Sequence, residues 1–169
     1  MLLEVKNLTK RFGGFTAVSK VDLAVPQGTV HGIIGPNGSG KSTLFNLISG
    51  VYKPEPGANV MFDGKDITGK ESHEIARLGI ARTFQMLRIF QGMSVIENML
   101  VGHHAMVRYG MTVLMVEQNV RMALLLATYG YVIKDGVIHI EGPADKMIHD
   151  DNVRLSYLGG TVANREAQL

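Results

Sequence analysis

The run Gly35-Pro36-Asn37-Gly38-Ser39-Gly40-Lys41-Ser42-Thr43 holds the residue types and spacing best suited to chemistry in this chain. Its glycines allow left-handed backbone angles and let N–H groups approach an anion closely. Its lysine is a compact positive charge, and the hydroxyl that follows can reach a divalent cation. The pattern Gly-x-x-x-x-Gly-Lys-Ser gains meaning when a buried strand feeds it and a helix leaves it. The helix then aims its dipole and its free N–H groups at the same anion. Both flanks fit. Val30-His31-Gly32-Ile33-Ile34 is short and largely apolar, as a buried parallel strand should be. Residues 44–49 read as helix that begins near Lys41 and stops at Gly50. The expectation is a P-loop for a nucleoside triphosphate, ATP with Mg²⁺. Lys41 would meet the β- and γ-phosphates, and the Ser42 hydroxyl would reach the metal. A structural turn that happens to contain a lysine is the alternative, and the flanking strand and helix argue against it.

Other elements must hold that loop in place. Residues 2–8 and 17–25 carry the mixed pattern of half-buried strands, with Arg11-Phe12-Gly13-Gly14 as the turn between them. Residues 53–57 form a loop, and 59–62 with 65–67 make a hairpin around Asp63-Gly64. A short helix is expected over 72–78, ended by Gly79, then a strand over 80–84. Ser94, with Glu97 three residues on, caps a helix over 95–107. Residues 112–116 form a second buried strand, and 120–129 an apolar-rich helix ended by Gly130. Residues 131–134 and 137–140 pair around Asp135-Gly136, and the tail from Ala144 turns helical and then polar. The fold class is α/β: a P-loop core with a mainly parallel sheet, helices on its faces, and an antiparallel N-terminal sheet.

Composition narrows the function. At 169 residues the chain has the size of one domain. A hydrophobic share of 46% against 19% charged residues suits a packed core. The net charge of +2, with no long run of one sign, gives no footprint for nucleic acid or for a polybasic membrane anchor. Without cysteine there are no disulfides or thiolate metal sites. The longest apolar stretch, near residues 122–127, falls far short of the ~20 residues of a spanning helix. No leader pattern precedes Leu2-Leu3-Glu4-Val5. A cytoplasmic protein is expected, without direct membrane insertion.

The wording around the loop resembles the ATP-binding subunits of ABC transporters, and the likeness is close for importers of branched-chain amino acids. Leu8-Thr9-Lys10-Arg11-Phe12-Gly13-Gly14 looks like the aromatic loop of that family. The resemblance implies that Phe12 stacks on adenine; from the residues alone, packing on the core is an equal alternative. Gly79-Ile80-Ala81-Arg82-Thr83-Phe84-Gln85, followed by Ser94-Val95-Ile96-Glu97-Asn98, is similar to the Q-loop and helical subdomain. By that match Gln85 contacts Mg²⁺ or the attacking water and senses a membrane subunit. Residues 113–121 resemble the switch strand, with Gln118 where a histidine is usual. Glu141-Gly142-Pro143-Ala144 and Tyr157-Leu158-Gly159-Gly160 resemble the family's ending. The resemblance implies a second ATPase subunit and membrane permease subunits as partners, with the protein peripheral at the inner face of the cell membrane. It also implies one truncated nucleotide-binding domain over 1–169. Residues 1–107 would hold the N-terminal sheet, P-loop and Q-loop, and 108–169 the switch strand and C-terminal part.

A block of the family pattern is missing between His104 and Gly110. No Leu-Ser-Gly-Gly-Gln run occurs in the chain, and no apolar strand ends in Asp-Glu. The signature and the Walker B acids therefore have no counterparts, and the helical subdomain is largely missing. ATP binding is expected to survive on the P-loop, with slow or absent hydrolysis: the chain is either an impaired energy-coupling subunit of such an importer or a nucleotide-binding module without turnover, regulatory or a non-functional remnant. Glu117 closes an apolar strand and has two readings. It is a surrogate acid if the strand 112–116 lies beside the strand 30–34, or it simply ends the switch strand. His103 and His104 read as solvated, since helical neighbours point apart. His31 reads as a satisfied core residue. Met111, Met115 and Met122 read as core filler.

Overall fold

The computed structural model describes residues 1–82, 111–150 and 153. Two four-stranded sheets organise it. The first has the order β2-β1-β4-β5, from β1 (Leu3–Phe12), β2 (Phe15–Val25), β4 (Asn59–Phe62) and β5 (Lys65–Asp66). Its strand pairs are antiparallel. The second has the order β6-β3-β7-β8, from β3 (Val30–Ile34), β6 (Val113–Glu117), β7 (Tyr129–Lys134) and β8 (Val137–Pro143). Here β6 and β7 both run parallel to β3, and β8 returns antiparallel to β7. The helices are α1 (Lys41–Ile48), α2 (Ser72–Arg77), α3 (Val120–Leu126) and α4 (Ala144–Met147). This is the expected α/β arrangement.

Strand β3 is buried along its whole length because both of its faces are covered. Ile33 joins a core with Leu8, Val18 and Val21 of the first sheet and with Leu44 and Leu47 of α1. Its neighbour Ile34 joins a second core with Val120, Ala123 and Leu124 of α3 and with Met147 of α4. The alternation of a strand thus puts adjacent isoleucines into different layers. Strand β7 repeats the division, with Tyr131 and Ile133 on the first side and Val132 on the second. The Tyr131 hydroxyl pins the two sheets together. It donates to the Ala24 carbonyl at 2.9 Å and accepts from the Ala24 N–H at 3.1 Å.

Several boundaries differ from the sequence expectation, each for a local reason. Phe12 belongs to β1 rather than to the turn, because β1 and β2 join through Gly13 and Gly14 alone, with Phe12 opposite Phe15. Residues 80–82 are not strand. The helix expected over 120–129 ends at Leu126, and Gly130 lies inside β7. Gly130 is a packing residue and not a helix stop: a Cβ there would sit 2.9 Å from Met147 Sδ and 3.0 Å from Leu124 Cδ2. The hairpin turns at Asp63-Gly64 and Asp135-Gly136 are as expected, with positive φ at both central residues. The helix expected over 95–107, Gln85, His103 and His104 lie outside the described residues.

His31 departs from its expected satisfied state. It is 4% exposed, its Nδ1 has no hydrogen-bond partner among the described residues, and it stacks on Tyr129 at 5.2 Å between ring centroids. Burial pushes its pKa below the ordinary histidine value. The unfolded chain therefore binds this proton more readily than the folded chain. The His31 contribution to stability is full above about pH 6.5 and is lost as the pH falls toward the lowered folded value. Urea midpoints measured from about pH 8 down to about pH 5 should show that loss, and His31→Phe should remove part of the slope. An identical slope in both proteins would mean that His31 takes up its proton equally in the folded and unfolded states.

Candidate functional site

The loop between β3 and α1 is wedged among backbone groups from distant parts of the chain. A Cβ on Gly35 would lie 2.1 Å from the Ile133 carbonyl oxygen. A Cβ on Gly40 would lie 2.5 Å from the Ala17 carbonyl oxygen, and Gly40 holds φ at 104°. Side chains are excluded at both positions by contact, and at Gly40 by conformation as well. The Gly136 N–H donates to the Ser39 carbonyl at 3.0 Å, and the Ser19 N–H donates to the Gly136 carbonyl at 2.8 Å. Strand β2 and the β7–β8 turn therefore grip the loop from two sides.

Helix α1 starts directly from Gly40, whose carbonyl accepts the first helical hydrogen bond, from the Leu44 N–H at 2.8 Å. No side chain caps this end, and no acidic residue sits in its first turn. The first N–H groups of a helix have no partner within it, so this end carries unneutralised positive dipole. Lys41 sits at the same point, 6% exposed. Its ammonium donates to the Gly35 carbonyl at 2.6 Å and to the Pro36 carbonyl at 2.7 Å. Burial lowers the Lys41 pKa, and the Glu117 carboxylate works against that shift. Ser39 Oγ is buried without a partner among the described residues. Asn37, Gly38 and Ser42 are exposed.

A cavity of about 590 Å³ opens over this loop. Its floor is Asn37–Thr43, one wall is Phe12, Phe15 and Ala17, and the other is Val116, Glu117, Gln118 and Asn119. That volume is typical of a small-ligand site. Gly35 and Pro36 lie behind the floor, where their carbonyls hold Lys41. Strand β6 needs no movement to bring Glu117 here: it already pairs with β3, with Glu117 opposite Ile34. Glu117 Oε2 accepts from the Gln118 N–H at 2.9 Å and from the Asn119 N–H at 3.3 Å. The Asn119 side chain in turn caps α3 by accepting from the Met122 N–H at 3.1 Å.

Phe12 is 44% exposed and meets Tyr52 edge-on at 5.3 Å, with the Lys10 ammonium 5.6 Å from its ring centre. Phe15, opposite it across the hairpin, is 63% exposed. Sequence reasoning missed Phe15 and Asn119. The pairing of two phenylalanines across Gly13-Gly14 was the signal for the first. An asparagine before an apolar helical run was the signal for the second. Gln85 lies outside the described residues, which also contain no cluster of three or more metal-ligating side chains.

A dipole end and a buried lysine at one cavity suit a polyphosphate, and the aromatic wall suits a flat ring beside it. The family model described as ABC transporter matches residues 18–155. The branched-chain amino acid transport ATP-binding protein BraF of Pseudomonas aeruginosa is 48% identical over 103 residues, 61% of this chain and 40% of that protein. LivG of Escherichia coli, described in the same words, is 43% identical over 110 residues, 65% of this chain and 43% of that protein. The chain thus spans well under half the length of these curated relatives. A crystal structure of an ATP-binding cassette of an ABC transporter, in its ADP conformation, has the same fold. Its TM-score is 0.77 at 23% identity, over 94% of this chain and 99% of that chain. A dimeric cassette in a post-hydrolysis state, bound to ADP and Pi, gives 0.67 at 17% identity, over 85% of this chain and 99% of that chain. With most of its length matched by that one family and the strand, loop and helix at its centre, the chain belongs to the ABC transporter family.

Proposed function

We propose that this chain is the Mg-ATP-binding part of an energy-coupling subunit, of the type that serves branched-chain amino acid importers. The carrying observation is the cavity that unites the Asn37–Thr43 floor, the aromatic wall and the end of β6. Lys41 would exchange the Gly35 and Pro36 carbonyls for β- and γ-phosphate oxygens. The N–H groups at the start of α1 and along Gly38–Gly40 would take the remaining phosphate oxygens. Ser42 is exposed at the cavity and would hold Mg²⁺, with Gln85 as its second protein ligand. Bound Mg²⁺ supplies charge neutralisation across the phosphates. Phe12 and Phe15 would enclose the base.

Turnover is a separate matter. Phosphoryl transfer depends on positioning and on electrostatic stabilisation. The sequence contains no Leu-Ser-Gly-Gly-Gln run and no apolar strand ending in Asp-Glu. Binding without fast hydrolysis is therefore the reading for this chain alone. It amounts to one shortened cassette, with 1–107 carrying the P-loop part and 108–169 the switch-strand part. The names of BraF and LivG support the substrate class, and the dimeric cassette supports a second ATPase subunit as partner. Permease subunits would then hold the protein at the cytoplasmic face of the membrane. No helix among the described residues is long and apolar enough to cross it.

Calorimetry with Mg-ATP, with phosphate release followed on the same samples, tests this. Binding should be saturable, and Lys41→Ala should weaken it at least about tenfold, as loss of a charge-assisted contact implies. A folded chain that ignores ATP would sink the reading. Fast Lys41-dependent phosphate release would overturn its second half.

The aromatic wall gives its own expectation. Phe12→Leu and Phe15→Leu should each weaken ATP by about tenfold, the scale of one base stack, and leave tripolyphosphate unaffected. Equal losses for both ligands would show that the ring shapes the loop and does not hold the base.

A further inference from the structure

We propose that Glu117 makes a divalent metal a condition of nucleotide binding: its carboxylate opposes the bare triphosphate in the P-loop cavity and favours it once Mg²⁺ stands between them. The inference rests on the Mg-ATP reading of that cavity. It assigns the metal requirement to one residue.

Placement is the first support. Strand β6 runs parallel to β3 with Glu117 opposite Ile34, the residue just before the loop. Adjacent strands lie only about 4.8 Å apart. The Glu117 side chain thus leaves the sheet at the level where Gly35 begins, and it lines the same cavity as Lys41 and Ser42. Restraint is the second support. The Gln118 and Asn119 N–H groups both donate to Oε2, so the carboxylate is held at the cavity wall. Its field reaches the Lys41 ammonium across the cavity and favours that charge against burial.

The sign of the effect follows. A carboxylate that acts on Lys41 also acts on the phosphate oxygens that Lys41 would neutralise, and there the charges are alike. Metal-free ATP meets this repulsion directly. Mg²⁺ reverses it, because a hard cation takes carboxylate and phosphate oxygens together. Ser42 adds a hydroxyl from the same cavity floor. Glu117 is the single carboxylate among the described residues that line the cavity. The sequence offers no Asp-Glu strand end to take its place.

The test is calorimetry on the full chain with ATP in EDTA and with ATP in excess Mg²⁺, and the readout is the ratio of the two affinities. In the wild type Mg²⁺ should tighten binding strongly. Glu117→Gln keeps the shape and an acceptor for the Gln118 and Asn119 N–H groups but removes the charge. It should lower the ratio by about tenfold, in part by tightening metal-free ATP. Glu117→Asp, with the charge drawn back by one methylene, should give an intermediate ratio, and it serves alone if the first variant does not fold. An unchanged ratio in either folded variant, with Lys41-dependent binding intact, overturns the role of Glu117 and leaves the ATP reading standing. A wild-type chain that binds neither form overturns both.

Discussion

The whole site hangs on backbone meeting backbone at the loop after β3. Gly35 lies against the Ile133 carbonyl, and Gly40 and Gly136 both lie against the Ala17 carbonyl. These contacts leave no room for side chains, so the loop has one shape while its neighbours stay in place. The neighbours come from β2 and from the β7–β8 hairpin. A strand, a glycine-rich turn and a helix are therefore not sufficient by themselves. The β7–β8 hairpin shapes the loop although it lines none of the cavity.

Electrostatics build on that rigid frame. Two described side chains at the cavity carry full charge, Lys41 and Glu117. Lys41 is hydrogen-bonded to carbonyls of its own loop, which satisfies a buried ammonium that would otherwise be costly. Ligand binding is then an exchange of partners and not a simple gain. For the phosphate ligand proposed above, the affinity would be the difference between phosphate contacts and the two carbonyl contacts given up. Ser39 contributes the opposite situation, a buried hydroxyl with no partner among the described residues.

The P-loop, the two Asp-Gly hairpins and the strand character of 30–34 were legible in the sequence because each rests on local chemistry. Glycine, aspartate and lysine spacing fix these features within a few residues. The position of β6 was not legible, because nothing in Val113–Glu117 says which strand it pairs with. That choice is made by the tertiary sheet, and it carries Glu117 to the loop. Gly130 was misread for a related reason. A glycine after an apolar run ends a helix on local grounds, but here it makes room for Met147 and Leu124. The unpartnered Nδ1 of His31 was equally hidden, since a sequence shows that a histidine sits in an apolar strand but not what faces it.

Strand β3 is shared property. Ile33 and Ile34, consecutive in the chain, belong to different hydrophobic layers, and β3 is hydrogen-bonded on both sides. Neither layer can open without exposing a neighbour of the other. Cooperative units of this kind exchange their amide protons only through large-scale opening. The amides of Val30–Ile34 should therefore be among the slowest to exchange of the described residues, and the loop that follows them springs directly from that strand.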